Sequence, residues 1–433
     1  MKYYSLNKQS PAVDFKDATI LGQAPDKGLY FPETIPVKDK EWIGRIEQMA
    51  DEDIAFDVIK PYVGSTIPDE KLRTIVKETL SFPIPLVELN KQISSLELFH
   101  GPTLAFKDIG ARFMSRCLGY FLSGESKKVT VLVATSGDTG GAVANGFLGV
   151  EGVEVVILYP SGKVSPVQEK QLTSLGKNIK ALEVDGSFDD CQQLVKQAFA
   201  DEALRRNIFL TSANSINVAR WLPQQFYYFL AWKQWKDKHN PPVISVPSGN
   251  FGNICAGILA NASGLPVNHF IAACNANDVV TNYLETGEYK TRTAIPTLSN
   301  AMDVGNPSNF VRILEIFHQQ LPDLKKKLSS ATVSDTETMQ AIKDIFDKHQ
   351  YLADPHGAVG YLALDRYLSE HVDLKGFFLE TAHPVKFPDA VQTATGKPVV
   401  MPPSLKSLMN EKKKSLFMKP DYNHLAHILL SGS

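Results

Sequence analysis

The segment Val129-Thr-Val-Leu-Val-Ala-Thr-Ser-Gly-Asp-Thr-Gly-Gly141 joins an apolar run to a loop rich in glycine and hydroxyl groups. Its first part, 129–133, has the length and β-branched content of a buried strand, and a helical pattern follows at 142–148. Similar apolar runs, separated by helical patterns, recur at 153–158, 181–184, 243–246, 270–273 and 377–380. Strands that are apolar throughout are typical of a mostly parallel sheet covered by helices on both faces, so the sequence predicts an α/β fold.

A chain of 433 residues is too long for a single hydrophobic core. We expect two open, mostly parallel sheet domains at 93–215 and 216–433, preceded by a smaller, proline-richer cap domain at 1–92. The later half contains a polar helical insertion near 298–350, with Ser334 or Asp335 as an N-cap. In the earlier half, we expect Asp189 or Asp190 to cap the helix that runs through 198.

Composition excludes several classes of function. With a net charge of −2, the chain lacks the basic surface that binds nucleic acids or anionic membranes. Its longest apolar stretches, such as 226–232, are shorter than the about 20 residues that span a bilayer, and no apolar signal segment follows the N-terminus. The 4 cysteines lack the spacing of a metal site. We therefore expect a cytoplasmic protein with a small-molecule substrate and no nucleic-acid or membrane partner.

One lysine stands in an apolar run, His100-Gly-Pro-Thr-Leu-Ala-Phe-Lys107-Asp108. Burial lowers the pKa of a lysine because the charged form loses its hydration. The neutral amine is a nucleophile that forms a Schiff base with an aldehyde. The alternative is that Lys107 extends its ammonium into water along its methylene chain. Other segments of the chain favour the first interpretation, because they supply the remaining parts of a pyridoxal phosphate site.

A glycine-rich turn follows the predicted strand at 243–246, in the run Ser248-Gly249-Asn250-Phe251-Gly252-Asn253. Glycine lets the backbone approach an anion closely, and the start of the next helix adds unsatisfied N–H donors. The run lacks the Gly-Lys-Ser/Thr of a nucleotide-binding P-loop and the Gly-x-Gly-x-x-Gly of dinucleotide sites. It predicts a phosphate site, the alternative being a plain strand-to-helix turn.

The loop at 134–141 also lies between a strand and a helix. Its hydroxyl and N–H groups suit a carboxylate, because the loop contains no lysine. The alternative is a capped helix start with Asp138 or Thr139 as the N-cap, and both can hold together. Since ligands bind at the carboxyl ends of parallel strands, this loop and the glycine-rich turn are expected at such ends.

Further polar residues stand at strand ends or in loops. Thr381 follows the strand predicted at 377–380 and carries a hydroxyl at the strand end, where a ligand could bind. The alternative is that it is an ordinary β-branched strand residue. Lys163 and Arg220 lie beside hydroxyl or amide donors and predict a second anion site, the alternative being cations exposed on loops. Asp354, His356 and His383 lack the spacing of helical metal ligands, and we assign no metal.

Taken together, these runs resemble the threonine synthases of bacteria and fungi, which are pyridoxal phosphate enzymes of fold type II. The resemblance extends over nearly the whole chain. It includes Met1-Lys-Tyr-Tyr-Ser5, Gly28–Glu33, the Lys107 run, 135–141, 212–220, 246–253, Ser299-Asn-Ala-Met-Asp303 and 380–387. It implies that the domain at 1–92 is the N-terminal domain of that family.

The resemblance also implies roles for individual residues. Lys107 carries the cofactor and moves protons, and Thr381 contacts the pyridine nitrogen. The cofactor phosphate lies on Gly249, Asn250, Phe251, Gly252 and Asn253. The substrate carboxylate is bound by Ser136, Gly137, Asp138 and Thr139, and the substrate phosphate by Lys163, Asn214, Ser215 and Arg220. The implied reaction converts O-phospho-L-homoserine and water to L-threonine and phosphate.

Two other functions remain alternatives at this stage. A serine or threonine dehydratase of the same fold needs no second anion site. A homologue that binds pyridoxal phosphate without turnover is a second possibility, which the intact Lys107 and phosphate loop disfavour. The family resemblance favours a monomer over a dimer.

Overall fold

A computed structural model describes residues 1–124 and 128–431. The strands are β1 (Tyr3–Ser5), β2 (Tyr30–Pro32), β3 (Leu86–Glu88), β4 (Ile93–Glu97), β5 (Val129–Ala134), β6 (Val153–Pro160), β7 (Ile179–Val184), β8 (Phe209–Thr211), β9 (Val243–Pro247), β10 (His269–Cys274), β11 (Leu328–Thr332), β12 (Gly376–Glu380) and β13 (Ser415–Met418).

The α-helices alternate with these strands along the chain. They are α1 (Phe15–Leu21), α2 (Lys40–Arg45), α3 (Asp51–Val63), α4 (Asp69–Thr79), α5 (Lys107–Leu122), α6 (Asp138–Phe147), α7 (Pro166–Thr173), α8 (Phe188–Ala200), α9 (Glu202–Asn207), α10 (Val218–Trp221), α11 (Gln225–Gln234), α12 (Gly252–Ala262), α13 (Val279–Thr286), α14 (Phe310–Ile316), α15 (Leu321–Lys327), α16 (Asp335–His349), α17 (Pro355–Glu370), α18 (Pro388–Thr395), α19 (Pro403–Met409) and α20 (Tyr422–Ser431).

The described chain divides into two compact units. Unit 1 contains Met1, 31–106 and 221–400, and unit 2 contains 2–30, 107–220 and 401–433. The chain therefore passes from one unit to the other between Phe106 and Lys107, and again between Arg220 and Trp221. These units do not coincide with the predicted domains 1–92, 93–215 and 216–433, which remain a prediction.

Unit 1 is built on a six-stranded sheet with the strand order β11-β10-β9-β12-β4-β3. Neighbouring strands are parallel, except for the antiparallel pair β3–β4 at one edge. The buried side chains of β9, β12, α16 and α17 form one continuous apolar core, which includes Val243, Ile342, Val359 and Phe378. Because β9 and β12 are central and parallel, their carboxyl ends emerge side by side at one edge of this sheet.

Unit 2 is built on a five-stranded parallel sheet with the order β13-β7-β6-β5-β8. Its core joins Leu132 and Leu158 of the central strands to Cys191 of α8 and Leu425 of α20. The C-terminal strand and helix thus complete the sheet and core of this unit.

The predicted α/β class with mostly parallel sheets is confirmed, and the predicted strands match β5, β6, β7, β9, β10 and β12 to within two residues. Ser334 is confirmed as the N-cap of α16, in a capping box with Glu337. The cap predicted at Asp189 or Asp190 is wrong, because Ser187 caps α8. In the same capping box, the Asp190 side chain accepts from the Ser187 N–H. Within the described residues, no helix is both long and apolar enough to cross a membrane.

Candidate active site

The glycine-rich turn of unit 1 leaves the sheet at the carboxyl end of β9. A Cβ added to Gly249 would lie 2.7 Å from the Ala301 carbonyl oxygen and 2.7 Å from the Met302 Cα. These are backbone atoms that cannot rotate aside, so the close approach of 301–302 requires glycine at 249.

Phe251 turns the chain into α12. It has a left-handed backbone with φ of 61°, and its side chain does not cap the helix that begins at Gly252. In the first turn, Asn253 Oδ1 accepts from the Ile254 N–H at 2.9 Å. The first turn of a helix leaves N–H groups without intrahelical acceptors, and the helix dipole favours an anion there. The Phe251 ring is buried and packs edge-on against Phe310, which holds the strained turn in place. The turn therefore places the start of a helix, whose first N–H groups have no intrahelical acceptors, where the sequence predicts a phosphate site.

The two asparagines of this turn bind the protein itself. Asn253 Nδ2 donates to the Pro247 carbonyl oxygen at 2.8 Å. Asn250 Oδ1 accepts from the Ser308 N–H at 2.6 Å, and its carbonyl oxygen accepts from the Asn309 N–H at 3.2 Å. These contacts fix the shape of the turn, so the backbone is the part of the turn best suited to hold a phosphate.

Behind this turn lies a residue that the sequence analysis missed. Arg312 of α14 is fully buried, and its guanidinium lies 4.3 Å from the centre of the Trp221 ring. It donates to Asn309 Oδ1 at 2.7 Å, and Asn309 in turn binds the Asn250 carbonyl oxygen. A cation inside the otherwise apolar run Val-Arg-Ile-Leu at 311–314 is a signal that was available in the sequence.

Thr381 follows β12, beside the end of β9. Its carbonyl oxygen accepts from the Phe106 N–H at 2.9 Å, and Ala105 pairs with Ala382 in an antiparallel bridge. The segment that leads to Lys107 is therefore paired with the strand end that carries Thr381. The Thr381 side chain is buried, yet its hydroxyl has no protein partner among the described residues, which leaves it available to a ligand.

In unit 2, Lys107 is the first residue of α5 and is half-buried. Arg220 is buried beside it, and one of its guanidinium nitrogens donates to the Lys107 carbonyl oxygen at 3.4 Å. A Cβ on Gly110 would lie 2.6 Å from the Arg220 carbonyl oxygen, so the first turn of α5 packs directly on that residue. Thus two predicted site residues, Lys107 and Arg220, are adjacent.

The loop between β5 and α6 is organised around one hydroxyl. Thr135 Oγ1 accepts from the N–H groups of Gly137 at 3.0 Å and Gly140 at 2.9 Å. Gly137 is the N-cap and provides no side chain, so the cap predicted at Asp138 or Thr139 is wrong. Asp138 is buried, and its Oδ1 accepts from Gln168 Nε2 at 3.0 Å. Ser136 and Thr139 are half-buried, so this helix start presents N–H and hydroxyl donors to an anion.

The remaining predicted residues follow neighbouring strands of the same sheet. Asn214 and Ser215 lie in the loop after β8 and are half-buried. Lys163 follows β6, is exposed, and interacts electrostatically with Asp190. Since β6, β5 and β8 are adjacent and parallel, these loops and Ser136 share one edge of the sheet.

The residues present fit pyridoxal phosphate. The start of α12, which its N-cap residue Phe251 leaves without a side-chain bond, suits the phosphate. The available Thr381 hydroxyl suits a ring nitrogen, and Lys107 supplies an amine. Within 1–124 and 128–431, no group of three or more His, Cys, Asp or Glu side chains is arranged to hold a metal ion.

Comparisons with known proteins agree with this chemistry. The family model "Pyridoxal-phosphate dependent enzyme" matches residues 79–375. The models "Threonine synthase N terminus" and "Threonine synthase, C-terminal" match residues 2–80 and 357–428.

Individual relatives resemble the chain over its whole length. Threonine synthase of Buchnera aphidicola subsp. Schizaphis graminum is 42% identical over 432 residues, covering 99% of this chain and 100% of that protein. The crystal structure of threonine synthase from Escherichia coli has a TM-score of 0.93 at 41% identity and covers 100% of both chains. PLP-bound threonine synthase from Brucella melitensis has a TM-score of 0.94 at 35% identity, covering 100% of this chain and 99% of that one. The chain therefore belongs to the threonine synthase family, the pyridoxal-phosphate-dependent enzymes of fold type II that convert O-phospho-L-homoserine and water to L-threonine and phosphate.

Proposed function

We propose that Lys107 is the catalytic lysine of this enzyme, binding the cofactor aldehyde and then moving protons on the substrate. The observation that carries this proposal is the pairing of 98–106 with the end of β12, because it ties the chain that enters Lys107 to Thr381. Ala105 and Ile109, on either side of Lys107, are buried. An apolar setting favours the neutral amine that both roles require.

Residues of unit 1 would hold the cofactor. The N–H groups at the start of α12, from Phe251 to Asn253, would bind its phosphate, with Gly249 allowing the backbone to approach. Asn250 would act through its bonds to Ser308 and Asn309, which fix the turn. The Thr381 hydroxyl would bind the pyridine nitrogen. A hydroxyl does not hold that nitrogen protonated as a carboxylate would, so the electron demand of the ring stays moderate.

When bound, the cofactor withdraws electrons from the substrate and so makes its Cα and Cβ protons removable. Lys107 would take a proton from Cα and one from Cβ, while the phosphate leaves Cγ with the electrons of the carbon–oxygen bond. A proton then returns to Cγ, water adds its hydroxyl at Cβ, and a proton returns to Cα. The remaining proton of the water is taken up by the released phosphate. One amine serves several transfers best when its pKa lies near the working pH.

Residues of unit 2 would bind the two anionic groups of the substrate. We assign its carboxylate to the helix start at Ser136, Gly137, Asp138 and Thr139, where the half-buried Ser136 and Thr139 provide hydroxyl donors beside the N-terminus of α6. Asn214, Ser215, Arg220 and Lys163 would bind the substrate phosphate. Arg220 has the strongest support, because it is buried next to Lys107, whereas Lys163 is exposed.

The test is a comparison of two substrates with the purified, cofactor-loaded protein. We expect inorganic phosphate and L-threonine to form in equal amounts from O-phospho-L-homoserine, with little deamination of L-threonine. Deamination of threonine without phosphate release would instead identify a dehydratase. Cofactor binding without either reaction would identify the non-catalytic binding protein.

The location and assembly of the protein are further proposals. We place it in the cytoplasm, and support comes from its four cysteines, which are all free and buried. We also propose a monomer, on the family resemblance alone. Light scattering of the purified protein tests the second proposal, since a mass near 47.8 kDa is expected for one chain.

A further inference from the structure

Glu380, the residue before Thr381, ends the apolar strand β12 and is fully buried. Its Oε1 accepts from the Asp354 N–H at 2.7 Å, while its Oε2 is buried and has no hydrogen-bond partner among the described residues. A Cβ on Gly357 would lie 1.6 Å from that oxygen, so the start of α17 packs directly onto the carboxyl group. A buried oxygen in this position requires an explanation, because an unpaired polar atom destabilises a protein interior.

Three other ionisable groups face this carboxyl from the elements around it. Asp354 caps α17 and lies within hydrogen-bonding reach of Glu380. Glu97 is its partner in register on the adjacent strand β4, and Tyr351 precedes α17. Burial, followed by the negative charge of Asp354, raises the pKa of Glu380 well above its ordinary value. No cation is paired with Glu380 among the described residues, so a neutral acid is the form that suits the site.

The Asp354 side chain also binds a histidine, and the contacts of this histidine show which of its ring nitrogens carries the proton. His356 is buried, its backbone N–H donates to Asp354 Oδ1 at 2.8 Å, and its Nδ1 contacts the same oxygen. Its Nε2 accepts from the Ala301 N–H at 3.2 Å. An imidazole nitrogen that accepts carries no proton, so the geometry places the His356 ring proton on Nδ1, directed at Asp354.

Ala301 connects the cluster of Glu380, Asp354 and His356 to the glycine-rich turn at 248–253. The carbonyl oxygen of Ala301 and the Cα of Met302 are the atoms that lie against Gly249. Asp354, His356 and Ala301 therefore form a hydrogen-bonded path inside unit 1 that runs from Glu380, beside Thr381, to the glycine of the turn.

We propose that Glu380 is a neutral carboxylic acid that donates its proton through Oε2 to Asp354, and that Glu380, Asp354 and His356 together position Thr381 and Gly249. The partner that Oε2 lacks is then supplied by the Asp354 carboxylate. No bond between heavy atoms forms or breaks. These are positioning residues, and their role rests on the proposed placement of the cofactor at Thr381 and the phosphate turn.

The protonation of Glu380 is tested by infrared spectroscopy near pH 7, on the cofactor-loaded protein and after cofactor removal. We expect the carbonyl band of a protonated carboxyl group in both states, and its loss in Glu380→Gln. Glu97→Gln is the matched control, because Glu97 binds Tyr351 at 2.9 Å and His100 at 2.7 Å and should leave the band in place. Absence of the band in the wild-type protein, or its persistence in Glu380→Gln, would overturn the inference.

The positioning role is tested by the affinity for the cofactor. Glu380→Gln preserves both the shape and the donor, so its dissociation constant for pyridoxal phosphate should stay close to the wild-type value. Glu380→Ala and His356→Asn should weaken binding about tenfold or more, because they leave buried groups unpaired. The same two variants should shift the phosphorus resonance of the bound cofactor. Equal affinity in all three variants, with an unshifted resonance, would refute the positioning role.

These measurements separate the inference from the proposed function. The infrared band does not depend on turnover, so it is expected even if the protein released no phosphate from O-phospho-L-homoserine. Conversely, full turnover in a protein that lacks the band would leave the proposed function intact and refute the inference alone.

Discussion

The backbone N–H of Phe106 donates a hydrogen bond of 2.9 Å to the carbonyl oxygen of Thr381. Phe106 is the residue that precedes Lys107, and Thr381 is the residue that we place at the cofactor ring nitrogen. One backbone contact therefore sets the register between the chain that enters Lys107, the proposed catalytic lysine, and the strand end that carries the Thr381 hydroxyl. This bond depends on no side chain, so substitutions of Thr381 test its hydroxyl separately from the backbone.

Replacing Thr381 by valine removes the hydroxyl and keeps the β-branched shape. We expect the cofactor to remain bound, its absorption maximum to shift, and kcat to fall about tenfold, the equivalent of one hydrogen bond. Thr381→Ser restores the hydroxyl and should recover most of the activity. A valine variant with the wild-type spectrum and rate would exclude the contact with the ring.

Gly249→Ala tests the proposed role of the glycine-rich turn in binding the cofactor phosphate. The new Cβ would meet backbone atoms of 301–302 at 2.7 Å, so either the turn or that segment must move. We expect cofactor affinity to fall at least tenfold, since overpacking costs about 1–3 kcal/mol. The control is Gly44→Ala in α2, where no atom of residues 1–124 and 128–431 lies within 4 Å of an added Cβ. This control should leave cofactor affinity unchanged, and a similar effect of both substitutions on affinity would contradict the role of Gly249.

Replacing Arg312 by methionine removes the buried cation behind the glycine-rich turn. Loss of its stacking on Trp221 and of its bond to Asn309 should lower the free energy of unfolding by about 3 kcal/mol. Cofactor affinity should fall as well, because Asn309 binds Asn250. Arg312→Lys keeps the charge but lacks the planar group, so only partial recovery is expected. Urea unfolding at wild-type concentrations with unchanged affinity would disprove this connection.

A buried histidine should make the protein sensitive to acid. Burial lowers the pKa of His269 from 6.5 to about 4. The unfolded chain therefore binds more protons than the folded chain between these values, and stability falls as the pH decreases through this window, by up to about 3 kcal/mol. His269→Gln should flatten the dependence of the unfolding free energy on pH from 6.5 to 4. Replacement of the exposed His239 by glutamine should not, and equal slopes in all three proteins would contradict the assignment.

The central strands were predictable because their residues are apolar on both faces. Seven of the described strands were not predicted, namely β1, β2, β3, β4, β8, β11 and β13, and for two of them the residues show a physical reason. β11 lies at the edge of its sheet and contains Ser329 and Ser330, while β4 contains Ser94 and Ser95. Serine-rich runs of this kind resemble turns when only the sequence is considered.

The candidate site was predictable where a glycine or a hydroxyl follows an apolar strand, as at Gly249 and Thr381. The cluster of Glu380, Asp354 and His356 was not, because its members are brought together by the packing of α17 onto β12. The side-chain contacts of Asn250 and Asn253 with the protein also require tertiary structure. The division into units depends on contacts between distant segments, so it could not be obtained from local composition.

The most direct test of the account is borohydride reduction of the cofactor-loaded protein, followed by peptide mass spectrometry. We predict that the cofactor becomes attached irreversibly to the peptide that contains Lys107, at this lysine alone, and that Lys107→Ala binds cofactor without becoming labelled. Attachment to another lysine, or a fully active protein that is not labelled at Lys107, would contradict the assignment on which the mechanism depends.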